Sequence, residues 1–93
     1  MLYEVNWQIL GDALESWFGI YDSEPEALVQ YDALDVDMIA EIEDVPIIVA
    51  MYCFEPLAKD GTPLQGTAED IAEDWYTDGP KSLISCKTSA CHL

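Results

Sequence analysis

Apolar residues near the amino terminus recur at the spacing of an amphipathic helix. The pattern predicts a helix over residues 6–18, with Asn6 as its cap and Gly19 as its end. Its apolar stripe consists of Trp7, Ile9, Leu10, Ala13, Leu14, Trp17 and Phe18. Residues 1–6 also show a rough alternation of apolar and polar side chains, so a short strand remains an alternative there.

Two further helices are predicted between residues 23 and 44. Ser23 and Glu26 have the spacing of a capping box and indicate the start of the first helix. The second is expected over about Asp35 to Asp44, although the alternation around Val36 leaves a strand open. Its inward-facing residues are expected to be Met38, Ile39, Ile42 and Val45.

The segment Val45–Phe54 is almost entirely apolar. Its length and its β-branched residues favour a buried strand, whereas Pro46 in a first helical turn would favour a helix. A strand would need partners, and the best candidates are residues 1–6 and 82–87.

Thr67 begins another predicted helix, which runs to about Thr77 and stops at Asp78-Gly79-Pro80. Residues 87–93 are expected to form a frayed tail. The chain is therefore predicted to be one acidic globular domain over residues 1–93. Its predicted fold is mainly α with three to four helices, and the alternative is α+β with a short sheet around residues 45–54.

Charge changes this picture more than any motif does. The chain has 19 Asp and Glu residues against 3 basic residues, all lysines, and a formal net charge of −16. Hydrophobic residues still make up 51% of the chain, which is enough for an ordered core inside an acidic shell. Binding to nucleic acid or to an anionic membrane would need clustered cations, so the expected partner is a basic protein. Adaptation to high salt is the alternative explanation of the acidity.

Carboxylates spaced three or four residues apart on a helix lie about 5–6 Å from one another, close to the spacing of phosphates along a nucleic-acid strand. Pairs of this kind occur in two clusters, and none of the pairs includes a lysine. Each carboxylate is expected to accept hydrogen bonds from Lys or Arg of the partner. The predicted partner-binding residues are Asp35, Asp37, Glu41, Glu43 and Asp44 in one cluster, and Glu69, Asp70, Glu73 and Asp74 in the other.

Other chemistry finds little support. The carboxylates from Asp35 onward lack the glycine and the terminal glutamate of a calcium loop, and the C-x4-C-H spacing of Cys86, Cys91 and His92 does not fit a zinc site. His92 is the only histidine and lies in the expected tail. We therefore expect no catalytic residues, no metal and no cofactor, and predict that the protein is not an enzyme. No signal peptide opens the sequence, which predicts a cytoplasmic protein.

A chain of this size and charge, with acidic segments such as IAEIEDV and TAEDIAEDWYTDG, resembles phage-encoded anti-CRISPR and anti-restriction inhibitors that mimic nucleic acid. The resemblance rests on these properties and not on a motif. It implies a DNA mimic, acting in a bacterial host cell, that occupies the basic surface of a CRISPR effector or other nuclease complex and blocks DNA binding. The alternatives are an immunity protein that neutralises a basic nuclease toxin, and a structural or assembly protein of a phage.

Overall fold

The sequence folds into an antiparallel sheet with two helices packed on one of its faces. The computed structural model describes residues 1–12, 14–58, 60–64, 67 and 81–89. These residues form strands β1 (Leu2–Ile9), β2 (Trp17–Tyr21), β3 (Ile47–Phe54) and β4 (Lys81–Thr88), and helices α1 (Glu24–Ala33) and α2 (Val36–Glu43).

The strands lie in the order β2-β1-β3-β4, and every neighbouring pair is antiparallel. β1 and β2 form a hairpin, and the two helices connect β2 to β3. β1 and β3 are the central strands, with Leu2 opposite Phe54 at one end and Ile9 opposite Ile47 at the other. Among the described strands, β2 and β4 form the two edges of the sheet.

The helix predicted over residues 6–18 is wrong, because this stretch contains the second half of β1, the hairpin loop and the start of β2. The Leu10 N–H donates to the carbonyl of Pro46 (2.9 Å), which extends the pairing with the region before β3. Gly11 then adopts a φ of +91°, a left-handed conformation that glycine tolerates and that reverses the chain. Leu10 and Leu14, assigned to the buried stripe of the helix, are both exposed.

The mainly helical fold class is also wrong, and the α+β alternative matches the structure. The apolar segment of residues 45–54 forms β3, with Pro46 directly before the strand rather than inside a helix. Its two predicted partners are confirmed, because β1 and β4 pair with it on either side. Ile47, Val49 and Met51 of β3 are buried under the helices, and Ala50 and Phe54 are buried on the opposite face, so the strand accommodates a nearly continuous apolar run.

Both helices predicted between residues 23 and 44 are confirmed. The Ser23 hydroxyl accepts a hydrogen bond from the Glu26 N–H (3.4 Å) at the start of α1. Asp35 caps α2, and Asp44 ends it in the left-handed conformation with a φ of +59°. Aspartate is one of the residue types that reach this conformation more readily than most.

The core lies between these helices and the sheet. The helices bring small or flat side chains to it, so their backbones approach the sheet closely. The buried residues of this core are Ala27, Tyr31, Val36 and Ala40 from the helices, and Val5, Ile47, Val49 and Met51 from the strands. A second, smaller cluster of Leu2, Phe54, Ile20 and Leu64 lies on the opposite face of the sheet.

Two expectations fall largely outside the described residues. Of the helix predicted from Thr67 onward, the structure describes Thr67 alone. The expected tail over residues 87–93 begins inside β4, which runs through Thr88. No helix among the described residues is long and apolar enough to cross a membrane.

We expect Ile47→Val to lower the free energy of unfolding by about 0.5–1.5 kcal/mol, because it removes a buried methylene. Ile47 is fully buried, whereas Ile42 on α2 is 72% exposed. The matched Ile42→Val change should cost less than about 0.5 kcal/mol. Urea denaturation of both variants measures the difference, and equal losses would contradict the placement of β3 in the core.

Candidate functional site

The outer surface of the helix pair carries a dense set of carboxylates. Because the inward faces of α1 and α2 pack on the sheet, the charged residues of both helices point away from it. All the acidic residues between residues 22 and 44 are exposed: Asp22, Glu24, Glu26, Asp32, Asp35, Asp37, Glu41, Glu43 and Asp44.

The first predicted binding cluster lies together on α2 and at its two ends. Asp37 and Glu41 are four residues apart within the helix and belong to the same exposed side. Asp35 also caps the start of α2, since its Oδ1 accepts hydrogen bonds from the N–H groups of Asp37 and Met38, each at 3.1 Å. The second predicted cluster, Glu69, Asp70, Glu73 and Asp74, lies outside the described residues.

Two apolar residues on the same side of α2 were expected to be buried and are not. Met38 is 58% exposed and Ile42 is 72% exposed. They are four residues apart and therefore form an apolar ridge beside Asp37 and Glu41. We call this set of four residues the α2 surface.

The position of the ridge follows from how α2 packs. Its buried residues are Val36 and Ala40, while Ile39 and Val45 pack against the edge of the core. Met38 and Ile42 are turned to the opposite side. The helix thus has apolar side chains on both sides, and its small residues face the sheet.

The two described lysines are bound near the sheet. The Lys87 ammonium donates to the carbonyl oxygen of Tyr31 (2.9 Å) and lies 4.6 Å from the centre of the Tyr31 ring, a cation–π distance. The Lys81 ammonium lies 2.7 Å from Oε1 of Glu4. Each of these ammonium groups therefore has a partner of its own near the sheet.

A buried polar cluster lies on the face of the sheet opposite the helices. The Glu4 side chain is only 1% exposed, and its two carboxylate oxygens accept hydrogen bonds from Lys81 and from Asn6 Nδ2, both at 2.7 Å. Asn6 Nδ2 also lies 3.4 Å from Oε1 of Glu15 in the hairpin loop. Among the described residues, Oδ1 of Asn6 has no hydrogen-bond partner. Sequence patterns gave no indication of this cluster.

Two groups beside this cluster, Glu15 and Tyr52, have raised pKa values, mainly because they are partly buried and further because of the charge of Glu4. Desolvation raises the pKa of Glu15 above its ordinary value of 4.5, and the charge of Glu4 and a hydrogen bond to it act in the same direction, while Lys81 partly offsets them. Burial is also the largest cause of the raised pKa of Tyr52, followed by the charge of Glu4. Glu4 with Lys81 thus forms an ion pair that connects β1 to β4, and the negative charge of Glu4 acts on the groups around it.

The described residues contain no group of three or more His, Cys, Asp and Glu side chains placed to hold a metal ion. Cys86 is exposed on β4, while Cys91 and His92 lie outside the described residues. Cys53 on β3 is half-buried.

Comparison of the chain with protein-family models, with curated proteins and with solved structures found no match.

The pKa of Glu15 predicts a pH dependence of stability. A carboxyl whose pKa is raised by folding holds its proton more tightly in the folded state. Its ionisation therefore opposes folding, and stability should rise as the pH falls through the raised pKa towards 4.5. Glu15→Gln should stabilise the protein at neutral pH, and the gain should shrink towards pH 4.5.

Urea denaturation across this pH range measures the effect. Glu55→Gln is the matched control, because it removes one negative charge from an exposed position at the end of β3. If both variants stabilise the protein equally at every pH, the effect comes from net charge and not from the proximity of Glu15 to Glu4.

Proposed function

We propose that this protein is an inhibitor that uses its α2 surface to bind the basic, nucleic-acid-binding surface of another protein. The proposed target is a CRISPR effector or another nuclease complex in a bacterial cytoplasm, and the proposed mechanism is competition with DNA. The observation that supports this best is that α2 exposes a carboxylate row (Asp37 and Glu41) directly beside the apolar ridge (Met38 and Ile42).

The carboxylate row gives the surface its charge complementarity. Asp37 and Glu41 are spaced about 5–6 Å apart, as (i, i+4) residues on a helix are, which is close to the spacing of neighbouring phosphates. A groove of Lys and Arg side chains that binds a phosphate backbone can therefore pair with the same row. Charge-assisted hydrogen bonds to Arg would be bidentate where the geometry permits.

The apolar ridge supports a protein as the partner. Met38 and Ile42 would bury apolar area in an interface and exclude water from the neighbouring charge pairs, as central interface residues do. The aliphatic stems of Lys and Arg pack well against such residues while their charged ends reach the carboxylates. A basic protein groove thus offers both kinds of contact that this surface needs.

The same ridge is the reason to keep an immunity protein as a second candidate. An inhibitor of a nuclease toxin can bind beside the nucleic-acid groove, where apolar contacts matter more than imitation of phosphate. The two candidates differ in one measurable respect. A DNA mimic competes with DNA for the target, whereas an inhibitor bound beside the groove need not.

We expect Asp37→Asn with Glu41→Gln to slow association with the target and to reduce its salt dependence, because steering depends on these charges. The target would be captured from bacterial lysate, identified, purified and tested by surface plasmon resonance at several salt concentrations. A variant with Glu55→Gln and Asp60→Asn removes the same charge elsewhere and is the control. Equal effects of the two double variants would show that net charge, and not the α2 surface, steers binding.

We expect Met38→Ala with Ile42→Ala to act mainly on dissociation. The loss should be about 1 kcal/mol or more for each residue that is central to the interface, with little change in the salt dependence. Thermal unfolding should be nearly unchanged, since both side chains are exposed. An unaltered dissociation rate would exclude the ridge from the interface, and addition of DNA to the same assay distinguishes the two candidates.

A further inference from the structure

The two edges of the sheet differ in how they are protected against pairing with another strand. β4 carries Lys81 and Lys87 and has an irregularity in its register opposite Met51 and Tyr52. Charged side chains and bulges are common devices that prevent edge-to-edge association. β2 has the sequence WFGIY, with no charge and no proline, and Phe18 is 52% exposed. β2 is thus the edge of the described sheet that is open to strand addition.

The hydrogen-bond pattern shows which residues of β2 point outward. In an antiparallel pair, successive residues of a strand direct their backbone N–H and C=O groups to alternate sides. Leu10 donates to Pro46, which places the even-numbered residues of β1 towards β3 and the odd-numbered ones towards β2. The Ser16 N–H donates to the carbonyl of Trp7 (3.0 Å), so this odd-numbered residue of β1 directs its carbonyl towards the β2 side, as expected. Given the register of β1 with β2, Phe18 and Ile20 direct their backbone groups away from β1.

The outward edge is complementary to itself. If a second β2 is laid antiparallel against it about Gly19, each Phe18 lies opposite Ile20 of the second copy. These are the residues whose N–H and C=O groups point outward, so each such pair exchanges both of its hydrogen bonds. On the other face, Trp17 lies opposite Tyr21 of the second copy, an aromatic cross-strand pair. Glycine meets glycine at the centre.

The same register avoids direct contact between like charges. Asp22 lies opposite Ser16 of the second copy, and Glu15 lies opposite Ser23. The net charge of −16 still repels two copies as a whole. At 0.1 M ionic strength, salt largely screens the repulsion between exposed charges that are more than about 10 Å apart.

Gly19, at the middle of β2, lies beneath the aromatic side chains of Trp17 and Tyr21. A Cβ atom placed on Gly19 would lie 2.6 Å from the Tyr21 hydroxyl oxygen and 3.2 Å from the Trp17 ring, so both aromatic side chains cover the glycine. Aromatic side chains that cover a glycine in this way help to stabilise strands in which it occurs. The two rings are thus already placed beside the edge at which the second copy would add.

We propose that a second copy of this chain pairs with β2, antiparallel and centred on Gly19, to form one sheet that continues through both copies. This interface is independent of the α2 surface, so the two proposals succeed or fail separately. Their salt dependences also have opposite signs, because added salt strengthens the pairing of two acidic copies and weakens binding to a basic partner.

Sedimentation equilibrium of the purified chain at low and high salt tests the proposal. We expect a monomer–dimer equilibrium that shifts towards the dimer as salt rises. Phe18→Lys should weaken the dimer by about tenfold or more, because it places a charge on the edge strand and removes an apolar contact. Leu83→Lys on β4 is the control, since it makes the same change of charge at an exposed residue of the opposite edge and should leave dimerisation intact.

Amide hydrogen exchange gives a second readout that does not depend on these variants. The Phe18 and Ile20 amides should become protected only as concentration rises, whereas the Trp17, Gly19 and Tyr21 amides should be protected in the monomer. A monomer at all concentrations and salts would overturn the proposal. A dimer that Phe18→Lys leaves intact would also overturn it, as would protection of Phe18 and Ile20 in the monomer.

Discussion

β1 pairs with β3 along the full length of both strands, and the other elements of the described structure depend on this contact. One face of the pair provides Val5, Ile47, Val49 and Met51, against which both helices pack. β2 and β4 each pair with only one of the two strands. Both helices pack mainly on the sheet. A one-residue shift in the register of β1 with β3 would therefore move Val5 from the helix-covered face to the opposite face.

The buried ion pair makes this central contact more specific. Glu4 on β1 reaches Lys81 on β4, across β3, so the carboxylate connects the middle of the sheet to its edge. A buried carboxylate that lost its cation would cost about 3–5 kcal/mol, which is a large share of the stability of a domain this small. Pairings of β4 that separate Lys81 from Glu4 carry that cost. The ion pair therefore disfavours registers of β4 in which Glu4 is left without Lys81.

Local signals in the sequence predicted the parts of the fold that local chemistry determines. Ser23 identified the start of α1, because capping depends on residues only a few positions apart. The predicted second helix began at about Asp35, which is the residue that caps α2 in the structure. The hairpin after β1 was missed, since Trp7, Leu10 and Leu14 fall at helical spacing although a turn separates them. The choice between strand and helix for β3 depended on its partner strands, which lie far away in the sequence. Fold class was therefore the property that local patterns determined least.

The sequence predicted the carboxylates of the candidate site but not its exposed apolar residues. The carboxylates of α2 were identified because charged groups on a short helix must face water. No such rule showed which apolar residues of α2 are buried. Val36 and Ala40 on one side have the same helical spacing as Met38 and Ile42 on the other. Tight packing against the sheet selects the smaller pair, and the larger pair is left exposed.

The exposed apolar ridge is the feature that favours the proposed binding surface over simple adaptation to salt. Adaptation accounts for carboxylates on every exposed surface, but it gives no reason to expose Ile42 beside them. An exposed apolar ridge adds nothing to the stability of the monomer and increases the risk of nonspecific association. Carboxylates at (i, i+4) spacing repel each other and also lower the stability of the helix. A ridge that adds nothing to the stability of the monomer and a pair of mutually repelling carboxylates thus lie side by side on one short helix, and the proposed basic protein partner would contact both.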